Sequence, residues 1–555
     1  MGLSQNKYCG RDIWLAFKDL CLAGPLPGST VTTCVSVLIL TSFYLLRVYR
    51  QRQRTTRIRG PQSPSWVYGF AKTALNSTAT TELYEQWAKV YGPVYKVPHV
   101  LGQSRVILWD PKATSHFFAR DTWFYNQTPF SKISIEMALG RGVMWADGES
   151  HKRQRKTINP AFGAAAVRSL TSIFQDVAYK AVIAWDAEIV GSNSGTDCAV
   201  IDVQQWMNLI SLDSAGIAIL SHDFGALNGN YCEAAHVLNA LSSSTDVSHK
   251  LVILAQSFPS ILKLPLPRTQ FAQKFNLIFG KICEEMLLRT RKEKETGGAD
   301  QGDKSCMGLL LKAEESGEGA GLTPQEVVAQ AQILLVGGFE TTAVSITWAF
   351  IELARNPDMQ TKLRDECLEF GSTPSYDDLM NKLPYLNAVV NEVLRLHPSI
   401  TEILRVATQE EVIPLSEPMR TAAGNSTDNV CIPKGTEVLI PLAALNCSVS
   451  MWGRDAKAFK PSRWLKEDEG AGETLRDYRH LMTFGNGART CPGRLFALAE
   501  FKAVLFVLVQ NFVFEMADGP GVKIVESLGF LPRPSVVGST ETGFRVPLRV
   551  RRYEV

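Results

Sequence analysis

The chain has 555 residues, of which 45% are hydrophobic and 20% are charged, a composition typical of a globular protein with a large core. Its formal net charge of +3 favours neither a nucleic-acid-binding protein nor an acidic solubility tail. The 11 cysteines form no CxxC pair and no Cys/His cluster with zinc-ligand spacing, so neither a disulfide framework nor a zinc site is predicted. Reduced thiols indicate a cytosolic environment.

The N-terminal region predicts a membrane anchor. Residues 29–46, STVTTCVSVLILTSFYLL, carry no charge and are about as long as the shortest helix that spans a bilayer. Residues 47–66 form a basic, proline-bearing segment whose arginines indicate the cytosolic side, so residues 1–28 are expected in the lumen. A cleaved signal peptide and a buried core helix are the alternatives. Residues 67–555 are predicted to form one large domain.

Beyond the anchor, the patterns predict a helix-rich domain with small sheets. Residues 94–108, VYKVPHVLGQSRVIL, are typical of a β-hairpin with a glycine turn. Other strand-like segments lie at residues 436–439 and 543–549, and polar loops are predicted at residues 191–196 and 292–303. Most of the remaining chain is helical in pattern. The predicted fold class is therefore mainly α with small β-sheets (α+β).

The first charged motif in the domain is HKRQRKTINPAF. On a helix it places His151 and Arg155 on one face, and Lys152 and Lys156 on another. Taken alone, this pattern is more typical of a solvated basic face than of a binding site.

A long helix is predicted over residues 323–355, because TPQE is a capping box and an Asn-Pro pair ends the pattern. In its middle stands GGFETT, and two adjacent glycines cost a helix about 2 kcal/mol relative to alanines. Close packing of another helix against the glycines is one explanation. The other is a local bulge that leaves room for a ligand, with Thr341 and Glu340 supplying a hydroxyl and an acid. Gly337 and Thr341 share one helical face.

A second helix is predicted over residues 384–397 and contains EVLR. Its Glu392 and Arg395 are three residues apart and can pair on one face. Further on, PSRW places Arg463 between a proline and a tryptophan. Taken singly, both motifs are common on protein surfaces.

Near the C-terminus, FGNGARTCPGR places Cys491 among three glycines and two arginines. Backbone N–H groups in such a turn can point at the sulfur, and the start of the following helix favours negative charge. The loop therefore suits a thiolate. The other cysteines have no comparable setting.

Together and in this order, the motifs resemble those of the cytochromes P-450. FGNGARTCPGR fits the haem-binding loop F-x-x-G-x-R-x-C-x-G, GGFET is similar to the oxygen-activation motif, EVLR matches E-x-x-R, and PSRW matches P-x-R-[FW]. The resemblance covers essentially the whole chain, including the anchor. The sequence looks most like that of fungal, membrane-anchored members. One departure is His151, which stands where many members have Trp in W-x-x-x-R.

The resemblance implies a haem b cofactor with Cys491 as the axial ligand of its iron. It further implies haem contacts from Phe484, Arg489, Gly493, His151, Arg155 and Arg405. Thr341 would organise proton delivery, with Glu340 as its acidic neighbour. A buried ion network with a structural role would consist of Glu392, Arg395 and Arg463. The substrate pocket would be lined by Ile333, Val336, Gly337, Ile400 and Leu404.

The implied reaction is insertion of one oxygen atom from dioxygen into an apolar substrate, such as a terpenoid or another secondary metabolite. The chain has neither a flavin domain nor a Rossmann fingerprint, so a separate NADPH-cytochrome P-450 reductase is the expected electron donor. Lys152 and Lys156 could help it dock. The expected location is the endoplasmic reticulum membrane, spanned once, with the catalytic domain cytosolic. No nucleic-acid partner is expected.

Other functions are also consistent with the motifs. The substrate could be a fatty acyl chain or an alkane instead of a terpenoid. A reductase-independent haem-thiolate isomerase or dehydratase is a further alternative, although Thr341 argues against it. A non-catalytic haem sensor would not need the glycines of the central helix. On the pocket wall, residues 399–405 offer only Thr401 and Glu402 as polar candidates, which predicts a largely apolar ligand.

Overall fold

The computed structural model describes Ser42 and residues 55–71, 80–192, 197–228, 249–295, 306–315, 321–465, 481–528, 531–537 and 544–554. The chain separates into two units, Met1–Arg57 and Ile58–Val555. The first unit lies almost wholly outside the described residues, and so does the anchor predicted at residues 29–46. The second unit holds the predicted site residues.

Helices dominate the described part of the second unit, which confirms the predicted fold class. In chain order the α-helices are α1 Thr80–Tyr91, α2 Pro111–Arg120, α3 Pro129–Leu139, α4 Gly148–Ile158, α5 Ala164–Gly191, α6 Val203–Leu220, α7 His249–Ser257, α8 Pro267–Glu295, α9 Cys306–Glu315, α10 Pro324–Arg355, α11 Pro357–Phe370, α12 Tyr376–Asn381, α13 Pro384–Leu396, α14 Leu442–Asn446, α15 Val449–Trp452 and α16 Arg494–Asn511. Short 3-10 turns include Pro461–Trp464, Met482–Phe484 and Gly487–Arg489.

The strands form small separate sheets. In chain order they are β1 Val94–Pro98, β2 Ser104–Leu108, β3 Tyr125–Asn126, β4 Cys198–Asp202, β5 Ile403–Ala407, β6 Glu411–Arg420, β7 Ser426–Ile432, β8 Glu437–Ile440, β9 Phe512–Met516, β10 Ile524–Leu528, β11 Pro532–Val536 and β12 Pro547–Arg552. One sheet has the order β1-β2-β8-β5-β3, with β2 and β8 parallel, and another has the order β4-β12-β9. The pairs β6-β7 and β10-β11 are antiparallel ribbons.

Helix α10 is the centre of the fold, and its ends are set by the predicted signals. The Thr323 hydroxyl accepts from the Glu326 amide at 3.2 Å, and the Glu326 carboxylate accepts from the Thr323 amide at 2.9 Å. Asn356 ends the helix and Pro357 starts the next one. Most residues of α10 are buried in the main hydrophobic cluster, where the helix packs against α6 and α16. The predicted helix is confirmed over its full length.

The other predicted elements are mostly confirmed. Residues 94–108 form the antiparallel hairpin β1-β2, and the strand-like segments correspond to β8 and β12. The loop predicted over residues 292–303 is wrong at its start, because α8 continues to Glu295. That stretch, KEKE, is polar, but lysine and glutamate are good helix formers. The loop predicted at residues 191–196 is wrong at Gly191, which belongs to α5, and residues 193–196 lie outside the described residues.

Among the described residues, α10 has the length and composition of a membrane span. It is mostly buried inside the domain, as expected for the core helix of a globular protein. The anchor predicted at residues 29–46 lies outside the described residues, apart from Ser42.

Candidate active site

The loop that carries Cys491 runs from the turn Met482–Phe484 to the start of α16. Gly485 and Gly487 have φ angles of +66° and +68°, in the left-handed region that glycine adopts without strain. At Gly487 a side chain is excluded for a second reason, because a Cβ would collide with the carbonyl of Phe118. These glycines fix the course of the chain that leads to the thiol.

Burial keeps the pKa of the Cys491 thiol above its ordinary value, but several groups beside the sulfur favour negative charge. The Cys491 amide donates to the Phe484 carbonyl at 2.9 Å, which folds the loop back just before α16 begins. Burial raises the pKa of the thiol, whereas the Gly493 amide, which donates to the sulfur, and the charges of Arg155 and Arg494 lower it. An amide donor, two cations and a helix N-terminus all stabilise a thiolate.

Four residues predicted to contact the cofactor lie together as a cationic cluster: His151, Arg155, Arg405 and Arg489. The pKa of His151 falls to about 3, chiefly because the ring is buried and also because the three arginines place positive charge beside it. His151 is therefore a neutral imidazole at physiological pH, able to donate one hydrogen bond without adding charge.

Two aspartates that no motif marked hold two of these arginines. Arg489 lies 2.6 Å from Asp147 and 3.3 Å from Asp121, and Arg405 lies 3.2 Å from Asp121. Asp147 precedes α4 and Asp121 follows α2, and neither belongs to a motif of the sequence analysis. The aspartates orient Arg405 and Arg489 and offset part of the positive charge of the cluster.

The GGFETT stretch of α10 is a regular helix, so the bulge considered for it is wrong. Its two glycines have different surroundings. A Cβ at Gly338 would lie 3.1 Å from the Ile219 Cδ1 and 3.4 Å from the Ala215 Cβ, so Gly338 allows α6 to pack closely. A Cβ at Gly337 would meet nothing within 4 Å, and Gly337 is exposed. Helix packing explains Gly338, and open space lies beside Gly337.

Thr341 follows Gly337 by one turn on the same face of α10. Its Oγ1 donates to the Gly337 carbonyl at 2.7 Å, and the side chain is half-buried. The Ser399 hydroxyl donates to the Thr341 carbonyl at 2.9 Å, which ties the chain after α13 to this turn. One face of α10 therefore carries both an open space and a hydroxyl.

The family model described as cytochrome P-450 matches residues 59–537. The chain belongs to the cytochrome P-450 family. It is 46% identical over 513 residues to cytochrome P-450 monooxygenase claQ of Ampulloclitocybe clavipes, covering 91% of this chain and 94% of the relative. For claW of the same fungus the identity is 45% over 534 residues, covering 94% and 98%. For ganoderic acid synthetase of Ganoderma lucidum it is 32% over 466 residues, covering 78% and 83%.

A cytochrome P-450 monooxygenase is an oxidoreductase with a haem-thiolate cofactor, and the family generally uses a redox partner and apolar substrates. The surroundings of Cys491 fit such a group. Among the described residues, half-buried Arg155 has no carboxylate partner, so it can receive an anionic group such as a haem propionate. The sulfur and the cationic cluster supply the ligand and the counter-charge, and Gly337 leaves the space that a side chain would fill.

Glu340 was predicted to be an acidic neighbour of Thr341, but its carboxylate is held in an ion pair. Its buried carboxylate lies 2.9 Å from Nη2 of Arg533, a buried residue of β11. Nη1 of Arg533 also donates to Asn208 of α6 at 3.3 Å. Burial raises the pKa of Glu340, and Arg533 lowers it. Glu340 is therefore not a free acid beside Thr341, because an ion pair holds it toward α6.

The predicted ion network of this cytochrome P-450 lies at the end of α13. Glu392 and Arg395 form a bidentate pair with both distances 2.8 Å, and neither side chain is exposed. Arg463 lies 3.4 Å from Glu392, and the Trp464 indole donates to Glu392 at 2.9 Å. The structure thus brings the three predicted residues together, with Trp464, the last residue of PSRW, as a further partner of Glu392.

Hydrogen bonds connect this network to the Cys491 loop. Arg395 donates to the Asn446 carbonyl at 2.7 Å, and the Asn446 side chain donates to the Thr483 hydroxyl at 3.0 Å. Thr483 in turn donates to the Leu394 carbonyl at 2.6 Å. Since Thr483 is the residue before Phe484, the network supports the start of the loop.

The residues predicted to line the pocket differ in exposure. Gly337 is exposed, Ile400 is 41% exposed, and Leu404 is half-buried. Ile333 and Val336 are buried in the main hydrophobic cluster. The first three are thus accessible in the described structure, and the other two are packed in the core.

Glu402 is not available as a polar group on the pocket wall. Its carboxylate is hydrogen-bonded to Tyr84 and lies near Arg105. Burial raises the pKa of Glu402, and these two partners lower it. Of the two polar candidates on residues 399–405, only Thr401 remains, so the wall is more apolar than the sequence indicated.

Proposed function

We propose that the chain is a haem b monooxygenase that inserts one atom of dioxygen into an apolar secondary metabolite, such as a terpenoid. The observation that carries the proposal is the setting of Cys491, whose sulfur accepts from the Gly493 amide near Arg155 and Arg494. When bound, the haem supplies dioxygen activation, which a thiolate ligand strengthens by adding electron density to the iron.

Residues from α4, β5 and the Cys491 loop would hold the cofactor. Cys491 would ligate the iron, and Phe484 and Gly493 would shape the loop that carries this ligand. Arg155, Arg405, Arg489 and the neutral His151 would bind the propionates, in keeping with their clustering around His151. The network of Glu392, Arg395 and Arg463 would have a structural role, in keeping with its complete burial at the Glu392–Arg395 pair.

Thr341 is the residue we assign to proton handling. Its hydroxyl holds a proton on the face of α10 that carries the open space beside Gly337. Glu340 was predicted to assist as an acid, but its ion pair with Arg533 supports a different role.

An apolar substrate suits the wall that we propose for the pocket, formed by Ile333, Val336, Gly337, Ile400 and Leu404. With Glu402 bound by Tyr84, this wall offers burial of carbon skeletons and few polar contacts. One relative is named for ganoderic acid synthesis, and the proposal of a secondary metabolite agrees with that name.

The electron donor would be NADPH-cytochrome P-450 reductase. Lys152 and Lys156 are exposed on α4, whose opposite face carries buried His151, so a partner docked there would be close to the cofactor. Residues 29–46 would anchor the protein once in the endoplasmic reticulum membrane, with residues 1–28 lumenal, residues 47–66 as a hinge and residues 67–555 as the cytosolic catalytic domain.

Full-length protein in lipid vesicles, with purified reductase and NADPH, tests the proposal. Each of a panel of terpenoids and fatty acids is added, and NADPH consumption and product mass are measured. We expect consumption that needs the reductase, rises with an apolar substrate, and gives a product heavier by one oxygen atom. Product formed without reductase, or no stimulation by any apolar compound, would refute it.

A further inference from the structure

The ion pair between Glu340 and Arg533 joins three elements of the fold. Glu340 is on α10, Arg533 is on β11, and Asn208, which accepts from Arg533 at 3.3 Å, is on α6. Gln204, one turn before Asn208, donates to the Asn208 oxygen at 3.0 Å and so fixes the amide. The Leu531 amide also donates to the Glu340 carboxylate. We name the set Glu340, Arg533 and Asn208 the buried clamp.

The clamp lies beside the weakest part of α10. Two adjacent glycines remove side-chain contacts and lower helix propensity at residues 337–338. Gly338 packs against Ile219 and Ala215 of α6, so the missing side chain lets the two helices approach closely there. Two residues later, Glu340 reaches the same helix through Arg533 and Asn208. The clamp can therefore fix the rotation of this turn, to which the two glycines contribute no side-chain contacts.

The chemistry of the pair supports a fixed position. Glu340 and Arg533 are both almost completely buried, where an unpaired charge is strongly unfavourable. A planar guanidinium with several donors can hold a carboxylate and an amide oxygen at defined angles, which a lysine cannot do. Glu340 and Arg533 can therefore both stay charged in the core only while the clamp keeps this geometry.

We propose that Arg533 is a positioning residue for the reaction of this chain. By holding Glu340 against α6, it sets the rotation of α10 at residues 337–341, so that Gly337 and the Thr341 hydroxyl face the open space. Glu340 then acts through Arg533 and not as a proton donor. That the position of Thr341 matters for catalysis rests on the monooxygenase function proposed above. The clamp itself can be tested without turnover.

The first test is a thermal double-mutant cycle on full-length holoprotein. Glu340→Gln and Arg533→Met should each lower Tm by several degrees, and the double variant should lose less than the sum, because it leaves no buried charge unpaired. Additive losses would show that the two side chains are not coupled and would overturn the clamp.

The second test measures the carbon–oxygen stretching band of the reduced CO complex by infrared spectroscopy. The band is sensitive to the position of the α10 turn beside the bound CO. We expect Arg533→Met to shift or broaden this band, and Arg533→Lys to restore it only in part. The matched control is Arg364→Met, since Arg364 is a buried arginine of α11 that donates to the Val509 carbonyl at 2.9 Å and not to a residue of α10. It should lower Tm without moving the band. An unchanged band in Arg533→Met would refute the positioning role.

The third test separates positioning from proton donation, with reductase, NADPH and a bound apolar substrate. If Arg533 positions Thr341, then Arg533→Met and Glu340→Gln should raise the fraction of NADPH lost to hydrogen peroxide to a similar extent. If Glu340 is a proton donor, Glu340→Gln alone should do so, and the proposal would be wrong. Wild-type protein without any substrate-stimulated NADPH oxidation would refute the proposed function, while the thermal and infrared tests would still decide the clamp.

Discussion

The hydroxyl of Thr341 donates to the carbonyl of Gly337 at 2.7 Å, on the one turn of α10 where a side chain is missing beside open space. A hydroxyl bonded to the carbonyl four residues earlier is compatible with a regular helix. It can also be released to another acceptor, since the carbonyl keeps its backbone partner. The turn therefore combines room for a ligand with a movable proton.

Thr341→Ala tests the hydroxyl. The variant should fold and keep its cofactor, because only one side-chain hydrogen bond is lost, at a cost of about 0.5–1.5 kcal/mol. It should divert NADPH to hydrogen peroxide, because proton delivery is impaired. Thr347→Ala is the matched control: Thr347 makes the same bond to the Ala343 carbonyl at 2.8 Å, but it is buried. Equal peroxide fractions in the two variants would contradict the role of Thr341.

Gly337→Val and Gly338→Val should have opposite outcomes. At Gly337 the new side chain enters open space, so Tm should not fall, while binding of apolar ligands weakens or moves. At Gly338 it is driven into Ile219 and Ala215, and overpacking of this kind costs about 1–3 kcal/mol. Thermal unfolding and ligand-induced spectra of both variants check this. Equal loss of stability at the two positions would mean that Gly337 does not border a pocket.

Arg395→Ala should prevent accumulation of folded holoprotein. The Glu392 carboxylate would remain buried without its bidentate partner, and breaking such a pair costs about 3–5 kcal/mol. Arg168→Ala is the control, since its pair with Asp377 at 2.8 Å is exposed and should matter little. Haem content per folded protein is the measurement. Normal haem content in Arg395→Ala, with loss of turnover alone, would contradict the structural role.

Arg155→Met should weaken retention of the cofactor without unfolding the apoprotein. Among the described residues, Arg155 has no carboxylate partner to leave behind, and a hydrogen bond to a charged group is worth about 1.5–3 kcal/mol. Transfer of haem to apomyoglobin should therefore be roughly ten- to a hundredfold faster. Lys156→Met, one residue along on the exposed side of α4, should leave transfer unchanged and weaken reductase binding instead. The same transfer rate for both variants would exclude a propionate contact at Arg155.

The sequence predicted best what local chemistry determines. The capping box at Thr323 and the Asn-Pro pair set the ends of α10, and the glycines around Cys491 set the shape of its loop. Residues 94–108 formed the predicted hairpin because alternating side chains and a glycine turn are sufficient to specify one. In each case the signal lies within a few residues of the feature.

Contacts between distant segments could not be predicted. Arg533 is 193 residues from Glu340 in the chain, and their pairing depends on how β11 docks on α10. Asp121 and Glu402 are similar cases, since the partners of each, Arg405 and Tyr84, come from other elements. A carboxyl residue in the sequence shows that a charge exists, but the packing of the fold decides whether a ligand or an arginine meets it.

The central claim is that Cys491 is a thiolate ligand of haem, and the spectrum of the reduced CO complex tests it most directly. Wild-type protein should show the red-shifted band of thiolate-ligated haem. Cys491→Ser should lose that band, whereas Cys447→Ser, at a half-buried thiol whose pKa burial raises to about 11, should keep it. A wild-type protein without the band, or a Cys491→Ser variant that retains it, would contradict the account.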